Sequence, residues 1–119
     1  MPVPHAFIVE DDDIVRTSLG KLLRVIGIPS TGFASAEAFL ENYRGDERGC
    51  LIVDIRMPGM NGLDLLEALQ QRGTALEAIV ISGHADEGSL RRLGALKTLG
   101  LLEKPFSLAQ LKTMLARAG

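Results

Sequence analysis

Short apolar runs that end in polar residues recur along this chain, and they leave few folds open. Ala6-Phe7-Ile8-Val9 leads into Glu10-Asp11-Asp12, Cys50-Leu51-Ile52-Val53 into Asp54, Ala78-Ile79-Val80-Ile81 into Ser82, and Leu101-Leu102 into Glu103-Lys104, with a weaker run from Ile28 to Phe33. Runs this short, without polar alternation, read as strands covered on both faces, which is the environment of a parallel sheet between helices. The intervening segments carry helical periodicity. Ile14, Val15, Leu19, Leu22, Leu23 and Ile26 mark one apolar face, stopped by Gly27 and Pro29. Ser35 is placed to cap a helix with Ala36, Phe39, Leu40 and Tyr43 on its core face, and Leu63, Leu66 and Leu69 mark the next. Leu90, Leu93 and Leu96 predict a fourth helix, from Glu87 to about Lys97, with a turn at a positive-φ Gly100. Ser107 and Gln110 form a capping box ahead of Leu108, Leu111, Met114 and Leu115.

Strand and helix thus alternate five times, an order that demands a parallel sheet with helices on both faces. Five strands with an active edge suggest the flavodoxin-like order 2-1-3-4-5. At 119 residues, with no linker or repeat, residues 1–119 form a single domain. Gly45 to Gly49 is a surface loop. A net charge of -2 gives no basic excess to neutralise nucleic-acid phosphates, so partners are expected to be proteins. The lone cysteine, Cys50, excludes an internal disulfide and reads as a core thiol. Met1 to His5 lacks the charged and apolar regions of a signal peptide, and no apolar stretch reaches membrane-spanning length, so a cytoplasmic protein is expected.

Parallel strands would bring Glu10, Asp11, Asp54, Ser82 and Lys104 to one sheet edge, where open α/β sheets place their ligand sites. Carboxylates crowded there stay ionised only with a cation among them, or one takes up a proton. Oxygen ligands without histidine or thiol favour Mg²⁺, which binds one or two carboxylates and keeps waters. Asp12 and Asp13 read instead as the start of the following helix, facing its macrodipole. A phosphoryl group on Asp54 would need an ammonium and a hydroxyl nearby, and Lys104 and Ser82 supply them. His84, two residues after Ser82, is expected at the rim of the site.

On these residues the chain resembles, along its whole length, the receiver domains of bacterial two-component response regulators. Phe33 to Leu40 and Asp54 to Gly62 are most similar to receivers of the nitrogen-fixation type. The resemblance implies that Asp54 is the phosphoacceptor, Asp11 a direct Mg²⁺ ligand, and Glu10 a second acidic residue acting through water. It further implies that the Arg56 backbone carbonyl completes the metal shell, that Ser82 is the switch hydroxyl and Lys104 the phosphoryl-binding lysine, and that a cis bond precedes Pro105. The implied donor is a sensor histidine kinase or histidine phosphotransfer protein, and a homodimer is one outcome for the oligomeric state.

Two features depart from that family. Leu101 stands where an aromatic residue is common, and Lys97-Thr98 occupies the place of a small Gly-Ala turn, with Gly94-Ala95 lying earlier. They keep open a pseudo-receiver, a protein-binding module of the same fold that no longer relies on phosphate. A phosphatase of the haloacid-dehalogenase type would want a second Asp two residues after Asp54, where Arg56 stands. A dinucleotide enzyme would need a glycine-rich loop where Glu10 to Asp13 is acidic.

Overall fold

The computed structural model describes residues 4–74 and 76–118; Met1 to Val3 of the N-terminal segment lie outside them. The chain runs β1 (Ala6–Val9), α1 (Asp13–Val25), β2 (Ser30–Phe33), α2 (Ala36–Asn42), β3 (Cys50–Asp54), α3 (Gly62–Arg72), β4 (Glu77–Ser82), α4 (Glu87–Gly94), β5 (Gly100–Glu103) and α5 (Leu108–Leu115). All strand pairs are parallel, in the order β2-β1-β3-β4-β5. The flavodoxin-like arrangement expected from the sequence is therefore present.

Alternate residues along each strand serve opposite layers. Ala6, Ile8, Cys50, Ile52, Ile79 and Ile81 pack with Leu19 and Leu23 of α1 and Leu111, Met114 and Leu115 of α5. Phe7, Val9, Leu51, Val53, Ala78 and Val80 pack with Phe39 of α2 and Leu63, Leu65, Leu66 and Leu69 of α3. Each fully buried leucine, isoleucine or phenylalanine contributes about 1.5–3 kcal/mol by leaving water, so the two layers together drive the fold. Cys50 lies in the first of them, and burial pushes its thiol up to about 12. Helix starts follow side-chain caps: Asp12, Ser35, Asn61, Asp86 and Ser107 each accept from backbone N–H groups of the first turn. At Asn61 and Ser107 the bond is reciprocated by Asp64 and Gln110.

Three expectations need correction. Ile14 does not belong to the core face of α1: it is 79 % exposed, because it sits five residues ahead of Leu19, about 140° round the helix. The fourth helix ends at Gly94, not near Lys97. Past Gly94 the N–H groups of Ala95 and Leu96 tighten onto the carbonyls of Arg92 and Leu93, three residues back, and the α-helical ladder stops. Gly100 has the positive φ expected, 146°, but opens β5 opposite Ile79 rather than forming a turn. A Cβ there would also lie 2.8 Å from Met114 Sδ. No side chain of α4 is buried, and Leu90 is 46 % exposed. The helix is held to α3 by Arg92, whose guanidinium donates to Asp64 (2.9 Å) and Glu67 (2.6 Å).

Candidate functional site

The hydrogen-bond ladder of the sheet continues past the strand ends and brings the polar residues level. Glu10 N–H donates to Phe33 O (3.0 Å), Ile55 N–H to Ile81 O (3.0 Å) and Lys104 N–H to Ser82 O (2.7 Å). Glu10, Asp54 and Ser82 are all buried, the buried polar residues among those described. The β-strand tips therefore deliver carboxylates, a hydroxyl and an ammonium to a single edge, as the alternation of the sequence implied.

Lys104 bridges the two buried carboxylates, donating from Nζ to Glu10 Oε1 (2.7 Å) and Asp54 Oδ2 (2.9 Å). Burial lowers the ammonium's pKa, but the hydrogen bonds to Glu10 and Asp54 outweigh it and the net shift is upward. Burial raises the Glu10 carboxyl to about 7, against the hydrogen bond from Lys104. Arg56 N–H donates to the other Asp54 oxygen, Oδ1 (3.2 Å), while the Arg56 side chain is exposed. Asp11 is exposed beside this pair, and its carboxylate, with those of Glu10 and Asp54, offers oxygens all within 4.8 Å of one another. Two carboxylates besides Glu10 face one ammonium, so the charge balance stays negative even where Glu10 holds its proton, and the donors are hard oxygens; the cluster fits a divalent cation such as Mg²⁺.

The remaining candidates fall into place around this core. Ser82 Oγ accepts from His84 N–H (3.1 Å), fixing the turn that leaves β4, and His84 itself is exposed. The Lys104–Pro105 bond is cis. Leu101 is half-buried against the layer that contains Leu93 and Leu96. Asp12 and Asp13 stand outside the cluster as helix-start residues, Asp12 capping Ile14 and Val15 and Asp13 pairing with Arg16.

Sequence reasoning overlooked the residues that brace the loops. Glu37 of α2 accepts from Met60 N–H (3.2 Å), and its Oε2 would meet a Cβ at Gly59 at 2.7 Å, where φ is 75°. Asp64 closes the cap on Asn61 and also receives Arg92; the Arg92 hydrogen bond holds its carboxyl below the usual range. The Asn61-x-x-Asp64 spacing was a readable capping signal, whereas contacts spanning 23 to 28 residues leave no local pattern.

Comparison with known proteins agrees with this geometry. The response regulator receiver domain family matches residues 6–116. The chain is 42 % identical over 99 residues to the transcriptional regulatory protein FixJ of Azorhizobium caulinodans, covering 83 % of this chain and 47 % of that protein. It is 33 % identical over 114 residues to FixJ of Bradyrhizobium diazoefficiens, covering 96 % of this chain and 56 % of that protein. The chain thus spans about half the length of these curated relatives. The crystal structure of FixJ-N superposes with a TM-score of 0.89 at 33 % identity, over 99 % of this chain and 94 % of that one. With the 2-1-3-4-5 sheet, the acidic edge and a family match over nearly its whole length, this chain belongs to the response regulator receiver domains of two-component signalling.

Proposed function

We propose that Asp54 is the residue phosphorylated, with Lys104 and Ser82 as its phosphoryl-binding partners and the whole chain, residues 1–119, acting as one receiver. The observation that carries this reading is the bridge from Lys104 to Asp54 and Glu10 at a sheet edge that also presents Asp11. Asp11, Asp54 and the Arg56 backbone carbonyl would hold Mg²⁺, with Glu10 acting through water. When bound, the cation would offset the charge of the phosphoryl oxygens. An Asp54 oxygen attacks phosphorus in line, the P–N bond of a phosphohistidine breaks, and the imidazole nitrogen regains a proton. The donor is a histidine kinase or histidine phosphotransfer protein. Lys104, positively charged at neutral pH, then neutralises phosphoryl charge, and the Ser82 hydroxyl donates to a phosphoryl oxygen.

The intact Asp11, Asp54, Ser82 and Lys104 set disfavours the pseudo-receiver. His84, exposed in the loop after Ser82, is placed to affect the lifetime of the phosphoryl group. No helix among the described residues is long and apolar enough to cross a membrane, and the reading places the receiver in the cytoplasm. Its FixJ relatives are named transcriptional regulatory proteins, which supports a role upstream of transcription, and a net charge of -2 gives this domain no basic excess for nucleic-acid contact. Incubation with acetyl phosphate and Mg²⁺, read by intact mass, should add one hydroxylamine-labile phosphate. Uptake by Asp54→Asn at the wild-type rate would overturn the assignment.

A further inference from the structure

Arg16, one turn into α1, reaches back over the acidic loop that carries Asp11. Its Nη1 donates to the backbone carbonyl of Glu10 (2.8 Å) and its Nη2 to the Asp13 carboxylate. The guanidinium therefore grips the loop on both sides of Asp11. The side chain is only 22 % exposed, and its stem lies across β2: a Cβ at Gly32 would meet Arg16 Cδ at 3.0 Å and Cγ at 3.1 Å. Gly32 leaves the space through which the arginine reaches Glu10.

The Glu10 carbonyl belongs to the peptide unit that joins Glu10 to Asp11, so its direction fixes the rotation with which Asp11 leaves the strand. The Glu10 N–H is already tied to Phe33 O and its carboxylate to Lys104. Arg16 supplies the restraint on the other side of that residue. A planar, two-pronged donor suits a carbonyl and a carboxylate held apart on either side of Asp11, since Nη1 and Nη2 reach one each.

We infer that Arg16 is a positioning residue for the metal site, orienting the Glu10–Asp11 peptide so that the Asp11 carboxylate faces Asp54. This rests on the proposed metal-dependent phosphoacceptor site. It also makes a prediction opposite in sign to simple electrostatics. Removing a cation beside an acidic cluster would by charge alone tighten Mg²⁺ binding, whereas loss of a positioning residue weakens it, by about tenfold for partners outside the direct metal shell.

The test is titration of Mg²⁺ alone into isotopically labelled chain, followed by NMR. Arg16→Met, which keeps the stem on Gly32, should bind about tenfold more weakly, and equal or tighter binding overturns the inference. Gly32→Val, which keeps the charge but displaces the stem, should weaken binding in the same direction. If Arg16→Met loses its dispersed spectrum, Gly32→Val decides alone, and unweakened binding there overturns the inference. If wild type shows no Mg²⁺ response at Asp11 and Asp54, the metal-site reading fails. The metal-free spectra then decide for Arg16: Asp11 and Asp12 amides shifted in Arg16→Met support loop positioning, and unshifted ones refute it.

Discussion

Gly62, the first residue of α3, approaches the end of β3 that carries Asp54 more closely than any side chain would allow. A Cβ there would lie 2.2 Å from the Asp54 carbonyl oxygen, 2.9 Å from its carbon and 3.0 Å from Val53 Cγ2. Ordinary contact begins at 3.4 Å, so Gly62→Ala must open the gap by more than an ångström, and the obstacle is backbone. Overpacking costs about 1–3 kcal/mol, and an immovable neighbour puts this site at the upper end. Alanine's helix preference returns about 0.5–1 kcal/mol in a helix interior, and less at a first position. A net loss of about 2 kcal/mol should lower Tm by about 8 °C in a domain of this size. Gly20→Ala is the matched control. It lies inside α1, and its Cβ would meet only Ser30 Oγ, at 3.7 Å, so it should gain about 0.5–1 kcal/mol. Paired urea and thermal melts measure both. A Gly62→Ala variant as stable as wild type, or as much improved as Gly20→Ala, would refute the steric reasoning.

Asp11→Ala should abolish Mg²⁺ binding in an NMR titration while Asp13→Ala has little effect, because Asp11 belongs to the carboxylate cluster, whereas Asp13 stands outside it and its loss leaves Arg16 bonded to the Glu10 carbonyl; equal losses would sink the distinction. Without metal, Glu10 binds its proton up to about pH 7 when folded but only to about 4.5 unfolded, so stability should fall as pH rises through that window. Denaturant midpoints in EDTA should lose that fall in Glu10→Gln, and an unchanged slope would assign it to other groups. Beryllofluoride with Mg²⁺ should shift the amides of Ser82 to His84 and leave the half-buried Leu101 methyls nearly still. The reverse pattern would show that Leu101 moves as an aromatic residue would.

Where a feature depends on local composition, the sequence alone makes it legible. The strand cores, the Ser35 cap, the Ser107 and Gln110 box and the helix stop at Gly27 are set by residues within a turn of one another. The convergence of Glu10, Asp54, Ser82 and Lys104 was readable one level higher, because parallel strands must end at one edge. What escaped depends on distance or angle. Ile14 is apolar, but the first turn of α1 turns it away from the sheet. α4 ends where Ala95 and Leu96 tighten onto Arg92 and Leu93, although the leucine stripe runs on through Leu96. Arg16 and Arg92 look like ordinary surface arginines in the sequence; their roles come from elements folded against them.

The exposed setting of α4 carries a consequence for motion. Its tether to α3 is a pair of half-exposed ion contacts, each worth roughly 0–1 kcal/mol and weakened as salt shortens the screening length. Local opening of this helix therefore lies far below the free energy needed to part the sheet. Its amides should exchange with deuterium early, faster at high ionic strength, while those of β1, β3 and β4 wait for global unfolding. The helix reached directly from Ser82 can relocate at the cost of two surface ion contacts and the half-buried Leu93, and the strands that hold Asp54 stay folded while it does.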